Sequence, residues 1–143
     1  KITTYRKLAE AALEKIDGAL DRMTNEWTCR IPLPGGDFPV RDVAKQRATL
    51  QAKLPFLDAK VVHRLFRQYG TQAESIFESA TSLDHCGANL GHGVTGREVD
   101  WAIENEWVCT ADDFLWRRSK LGLHFSPDEV ANLEDYIAGK LAA

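Results

Sequence analysis

The sequence predicts an all-α chain: an irregular bundle of about seven helices with an extended Pro/Gly connector after the first. Three observations carry that expectation. Apolar residues recur at i, i+3, i+4 and i+7 through most of the chain, pairs of hydroxyl and carboxylate residues three apart mark helix starts, and no stretch alternates apolar with polar as a strand does. A length of 143 residues suits one domain of ordinary size. The expected organisation is a leading helix over 1–23, a connector over 24–39 and a compact helical unit over 40–143.

In the first helix Tyr5, Leu8, Ala9, Ala12, Leu13, Ile16, Ala19 and Leu20 form one apolar stripe. Thr3 or Thr4 suits its N-cap and Gly18 weakens its end. Residues 28–39 then hold three prolines and the Gly35-Gly36 pair. Proline removes a backbone donor and fixes φ, so the helical pattern breaks there. A second helix is expected over 40–53, with Val40, Val43, Ala44, Arg47, Leu50 and Leu54 inward. A third, over 56–69, carries Leu57, Val61, Val62, Leu65, Phe66 and Tyr69, and Gly70 stops it. Thr71 with Glu74, Thr95 with Glu98 and Ser126 with Glu129 all have capping-box spacing, and Thr110 with Asp113 is a shorter version. Behind these caps run Ile76 and Phe77; Val99, Ala102 and Ile103; Phe114, Leu115 and Leu121; and Val130, Leu133, Ile137 and Leu141. Residues 81–94, with three glycines, read as a loop.

Composition excludes several function classes. Apolar residues make up 44% and charged residues 27%, the balance of a globular domain. A formal charge of −3 gives no electrostatic case for nucleic acid or an anionic membrane. No apolar run reaches the roughly 20 residues of a membrane span, and no signal peptide opens the chain. Three cysteines without regular spacing, Cys29, Cys86 and Cys109, argue against a disulfide framework and for a reducing, cytoplasmic compartment. The chain opens without methionine at what reads as a helix start, the expectation for part of a longer protein.

Few residues carry chemistry. His85, Cys86 and His92 are the residue types of a metal site, but their spacing fits no metal-binding pattern, so no metal is expected. None of the three thiols is marked as an activated nucleophile, and neither Gly91-His92-Gly93 nor Gly35-Gly36 has the neighbours of a phosphate loop. The densest segment is 101–121, where Trp101, Trp107, Phe114 and Trp116 accompany Asp113, Arg117 and Arg118. It is expected to form an ion-paired, tryptophan-filled junction between two helices, with Asp113 and Arg117 paired at i,i+4. At the other end, Lys1 beside a helix start favours an anion.

Lys1-Ile2-Thr3-Thr4-Tyr5-Arg6-Lys7-Leu8-Ala9 resembles the motif Gly-Gly-Lys-x-x-(small or Glu)-Tyr-Arg-x-x-Ala of FAD-dependent glycerol-3-phosphate dehydrogenases, with Lys1, Thr4, Tyr5, Arg6 and Ala9 matching. The motif's two glycines would precede Lys1. Glu106-Trp107, then Thr110-Ala111-Asp112-Asp113, then Leu115-Trp116-Arg117-Arg118-Ser119-Lys120-Leu121-Gly122 are similar to a second pattern in that family's C-terminal domain. Leu33-Pro34-Gly35-Gly36 and Pro55-Phe56-Leu57 also resemble it, whereas 81–94 match only loosely.

The resemblance implies a non-catalytic helical C-terminal domain. The intact enzyme would oxidise sn-glycerol 3-phosphate to dihydroxyacetone phosphate and pass electrons through FAD to quinone, or in some relatives to oxygen. It implies an absent FAD and substrate domain as partner, peripheral attachment to the cytoplasmic face of the inner membrane, and allows a homodimer. Lys1, Ile2 and Thr3 would approach the substrate phosphate or the flavin pyrimidine edge, where a cation and a helix N-terminus stabilise negative charge. Trp107, Thr110, Asp113, Arg117 and Arg118 would be structural. No GxGxxG accompanies them, so this chain is expected to bind FAD poorly and to turn over nothing. The competing expectations are an independent helical module that binds a partner protein, and a small metalloprotein using His85, Cys86 and His92.

Overall fold

The computed structural model describes residues 3–20 and 28–142. Among them the architecture is all-α, with six α-helices: α1 (Tyr5–Leu20), α2 (Val43–Lys53), α3 (Ala59–Tyr69), α4 (Ala73–Ile76), α5 (Gly96–Glu106) and α6 (Pro127–Leu141). The expected seventh is a π-helical segment, Asp113–Ser119, between α5 and α6. Its wider turn frees a carbonyl, and the Ser119 hydroxyl takes it by donating to Phe114 O at 2.8 Å. Extended pairing among the described residues is one isolated bridge, Asn89 with Thr95.

Two apolar clusters hold the body together. One gathers Leu50, Leu54, Leu57, Val62, Leu65 and Phe66 with Ile76 and Phe77. The other gathers Val94, Val99, Ala102, Phe114, Leu115, Leu133 and Ile137. Helix α5 joins them: Val99 and Ala102 belong to the second, while Trp101 leans on the first and meets Tyr69 edge-on at 5.2 Å. Asp100 ties α5 to α6 by accepting from the Tyr136 hydroxyl at 2.9 Å and from Lys140 at 2.8 Å.

Capping follows the sequence only in part. Ser126 and Glu129 close the full reciprocal box with Pro127 in the first turn. Thr110 and Asp113 also bond reciprocally. The other two expected boxes do not form. Thr71 lies inside a 3-10 turn and Glu74 pairs with Lys53. Thr95 is the N-cap of α5 but makes no side-chain cap bond, because Glu98 is drawn to partners on α3. The third helix begins at Ala59, later than expected, because Asp58 caps it by accepting from Lys60 N at 2.7 Å.

Burial corrects two further expectations. Of the residues expected inward on the second helix only Leu50 and Leu54 are buried; Val40 and Val43 are exposed, and Val43 borders an open cleft between α2, α3 and residues 33–38. Trp107 is 84% exposed and Trp116 42%, so the 101–121 segment is not filled by tryptophan. Trp107 ends α5 in the left-handed region (φ 56°), which turns its ring out of the core. Cys29 and Cys109 are exposed free thiols and only Cys86 is buried.

The apolar stripe of α1 faces outward: Tyr5, Leu8, Leu13 and Ile16 are all exposed, while the side chain of Leu20 lies outside the described set. Residues 24–27 of the expected connector also lie outside it. Beyond them, Gly35 meets Gly70 backbone to backbone, and Thr71 N donates to Gly35 O at 3.0 Å. A Cβ on Gly70 (φ 57°) would stand 1.9 Å from that same oxygen, so the crossing demands glycine.

Candidate functional site

The most polar part of the interior lies where α3 crosses the start of α5. The Glu98 side chain has no solvent exposure, and both its oxygens accept from the Arg64 guanidinium: Nη1 to Oε1 at 2.6 Å and Nη2 to Oε2 at 2.8 Å. This is the fork-to-fork geometry that makes an arginine–carboxylate pair strong and directional. The Tyr69 hydroxyl donates to Oε1 at 3.1 Å and receives a bond from Gln68 Nε2 at 2.8 Å. Arg64 Nη2 also donates to Gly93 O at 3.1 Å, while its Nε is buried without a partner.

The electrostatics follow from burial and proximity. Burial works against the Arg64 charge, but hydrogen bonding to Glu98 and its negative charge outweigh this and hold the guanidinium above its ordinary range. Burial pushes the Tyr69 phenol up, and Glu98 pushes it further, so Tyr69 stays a donor. The group bridges the two apolar clusters and fixes α3 against α5.

On the outer side of α3, Lys60, His63, Arg64 and Arg67 recur at i, i+3, i+4 and i+7, opposite the buried Val62, Leu65, Phe66 and Tyr69. Together with Arg118 and Ser119 from the π-helical segment they line a cleft of about 660 Å3 that no carboxylate borders. Arg47 Nη1 donates to His63 Nδ1 at 2.8 Å, which leaves the ring proton on Nε2. The sequence reading missed this site, although the periodicity of the four α3 residues is legible. The contribution of Arg118, more than fifty positions later, is not.

Of the residues singled out from the sequence, Lys1 and Ile2 lie outside the described residues, and Thr3 is exposed in a turn before α1. Trp107, Thr110, Asp113, Arg117 and Arg118 share one short region. Asp113 Oδ2 accepts from Cys109 N at 3.1 Å and from Thr110 N and Oγ1, each at 3.0 Å, and Oδ1 accepts from Arg117 at 2.6 Å. These bonds, that from Cys109 N first, hold the Asp113 carboxyl below its ordinary range. Arg118 Nε donates to Glu106 O at 2.8 Å. Both arginines are exposed rather than half-buried, and their segment braces the turn out of α5.

The structure does not gather the histidines and cysteine. His85 Nδ1 accepts from Thr81, the buried Cys86 thiol donates to Ser82 O at 3.5 Å, and His92 lies 3.4 Å from Glu129. No group of three or more His, Cys, Asp or Glu among the described residues could hold a metal ion. The described residues do not fit FAD either. Among them no strand leads through a glycine turn into a helix, and a Cβ added at Gly91 or Gly93 would meet the Glu129 or Val61 side chain.

A family model described as the C-terminal domain of alpha-glycerophosphate oxidase matches residues 26–141. A glycerol-3-phosphate dehydrogenase of Pseudomonas aeruginosa is 38% identical over 137 residues, which are 96% of this chain and 27% of that relative. The aerobic glycerol-3-phosphate dehydrogenase of Escherichia coli is 34% identical over 137 residues, again 96% of this chain and 27% of the relative. A D-erythritol 1-phosphate dehydrogenase of Brucella abortus is 34% identical over 131 residues, 92% of this chain and 26% of its own length. The chain thus spans about a quarter of the length of the curated relatives it matches.

Proposed function

The chain belongs to the family of the C-terminal domain of alpha-glycerophosphate oxidase, and on that premise we propose that it is the non-catalytic helical domain of a flavoenzyme that oxidises sn-glycerol 3-phosphate to dihydroxyacetone phosphate. The observation that carries this reading is the likeness to two glycerol-3-phosphate dehydrogenases over 96% of the chain. Electrons leave through FAD to a quinone, at a peripheral position on the cytoplasmic face of the inner membrane. No helix among the described residues is long and apolar enough to cross that membrane. The flavin and the substrate are held mainly by the catalytic part of the enzyme, to whose site the start of this chain contributes.

The role of this chain is then to bind and cover the catalytic part. The exposed stripe of Leu8, Leu13 and Ile16 on α1 is the surface it offers, consistent with apolar area that a neighbouring domain covers. Lys1, Ile2 and Thr3, ahead of α1, are its contribution to the active site. There a cation and a helix N-terminus lie by the substrate phosphate or the flavin edge.

A reconstitution tests the reading. This chain is added to a separately expressed flavin domain of the same enzyme, and dye reduction by glycerol 3-phosphate is followed, with D-erythritol 1-phosphate in parallel. Activity with glycerol 3-phosphate only in the presence of the chain is the expected result. Activity of the flavin domain alone at the rate of the intact enzyme would remove the proposed role, and a response only to D-erythritol 1-phosphate would replace the substrate.

A further inference from the structure

Part of the basic face of α3, Lys60 and Arg67, makes no ion pair within the described fold. Lys60, His63, Arg64 and Arg67 stand side by side on one helix surface, where like charges three and four apart repel. Arg64 is compensated by Glu98. Lys60 and Arg67 have no ion-pair partner among the described residues. Arg118 reaches the same cleft from the π-helical segment, with its Nε on the Glu106 carbonyl at 2.8 Å and its charge partly offset by the Glu106 carboxyl nearby. Two cationic groups without a matching carboxylate, Lys60 and Arg67, therefore line one cleft beside Arg118 in a chain whose net charge is −3.

We propose that this cleft binds the phosphate group of a small phosphate monoester. Two guanidinium forks match the oxygens of a tetrahedral dianion, Lys60 adds a point charge, and the Nε2 proton of His63 makes that ring a donor. Arg64 is immobilised by its fork onto Glu98, so it acts as a fixed floor beside the exposed Lys60 and Arg67. The inference is independent of the flavoenzyme reading, because every group it uses lies between residues 60 and 119.

The test is an amide NMR titration of the full chain with inorganic phosphate at constant ionic strength, beside a sodium chloride control. Saturable shifts at 60–68 and 117–119 are expected. R67A/R118A should weaken binding roughly tenfold or more, since each removes a charge-assisted bond; Lys60→Ala should weaken it by less. Lys45→Ala, an exposed charge on α2 outside the cleft, should leave it unchanged. Both arginines are exposed, so the fold should persist, and circular dichroism checks that. No saturable shift beyond the chloride control, or equal binding by R67A/R118A, overturns the proposal. So does sedimentation with phosphatidylglycerol vesicles when neither inorganic phosphate nor glycerol 3-phosphate produces shifts, because the ligand is then a lipid surface.

Discussion

Replacing Arg64 with methionine removes one side of a buried ion pair and keeps most of the aliphatic volume. Glu98 then has only the Tyr69 hydroxyl at 3.1 Å to set against its complete removal from solvent. Breaking a buried pair from one side costs about 3–5 kcal/mol, because the remaining charge is stranded. For a chain of this length the unfolding entropy is about 0.3 kcal/mol/K, so the loss corresponds to roughly 10–17 °C in melting temperature. Glu98→Leu should cost less, about 1–3 kcal/mol. Arg64 is 19% exposed and keeps the Gly93 carbonyl, so its charge still reaches water. The double variant R64M/E98L should be more stable than R64M alone, since no stranded carboxylate remains and Gln68 still serves the Tyr69 hydroxyl. Thermal and urea unfolding followed by circular dichroism give all three values. A cost below about 1 kcal/mol for R64M, the range of surface pairs, would refute the reasoning. Strictly additive losses in the double variant would refute it equally.

Three further predictions follow from the caps, the glycine crossing and the carboxylates. Thr95→Val should be neutral or stabilising by up to about 1 kcal/mol, because the Thr95 hydroxyl is buried without a partner. Ser126→Ala should cost about 1 kcal/mol by removing a working cap, and urea midpoints compare the two directly. Gly70→Ala should destabilise by more than about 1 kcal/mol, since its Cβ meets the Gly35 backbone and its φ is positive. Stability should fall in acid. Asp113 is held low chiefly by the Cys109 N–H, Glu129 by the Ser126 N–H and Glu10 by the Thr28 hydroxyl. A folded-state value below the unfolded one gives stabilisation that is complete above the unfolded range near pH 4 and is lost as pH falls further. Melting temperatures across that range should decline, and Asp113→Asn should flatten the decline.

The sequence yields what local physics controls. The stripe of α3, that of α6 up to Ile137 (Leu141 is exposed), the Gly70 stop, the Ser126 box and the Asp113–Arg117 pair are all interactions within a few residues, and each is found. The failures come from tertiary competition. Thr95 and Glu98 have the spacing of a capping box, but Arg64, thirty-four positions earlier, takes the carboxylate. Trp107 has the hydrophobicity of a core residue, but the left-handed end of α5 sends it outward. Val40 and Val43 have helical spacing but are exposed, because no element packs over that end of the helix. The α3 half of the basic cleft is legible in residues 60–67, whereas its closure by Arg118 depends on the chain path through α5.

The most direct test of the central claim compares the intact enzyme containing this chain with the isolated chain. The assay is bound flavin and dye reduction by glycerol 3-phosphate. The account predicts that the intact protein holds flavin and turns over the substrate, while the isolated chain does neither. Flavin binding with turnover by the isolated chain would contradict it, as would an intact protein that carries flavin but ignores glycerol 3-phosphate.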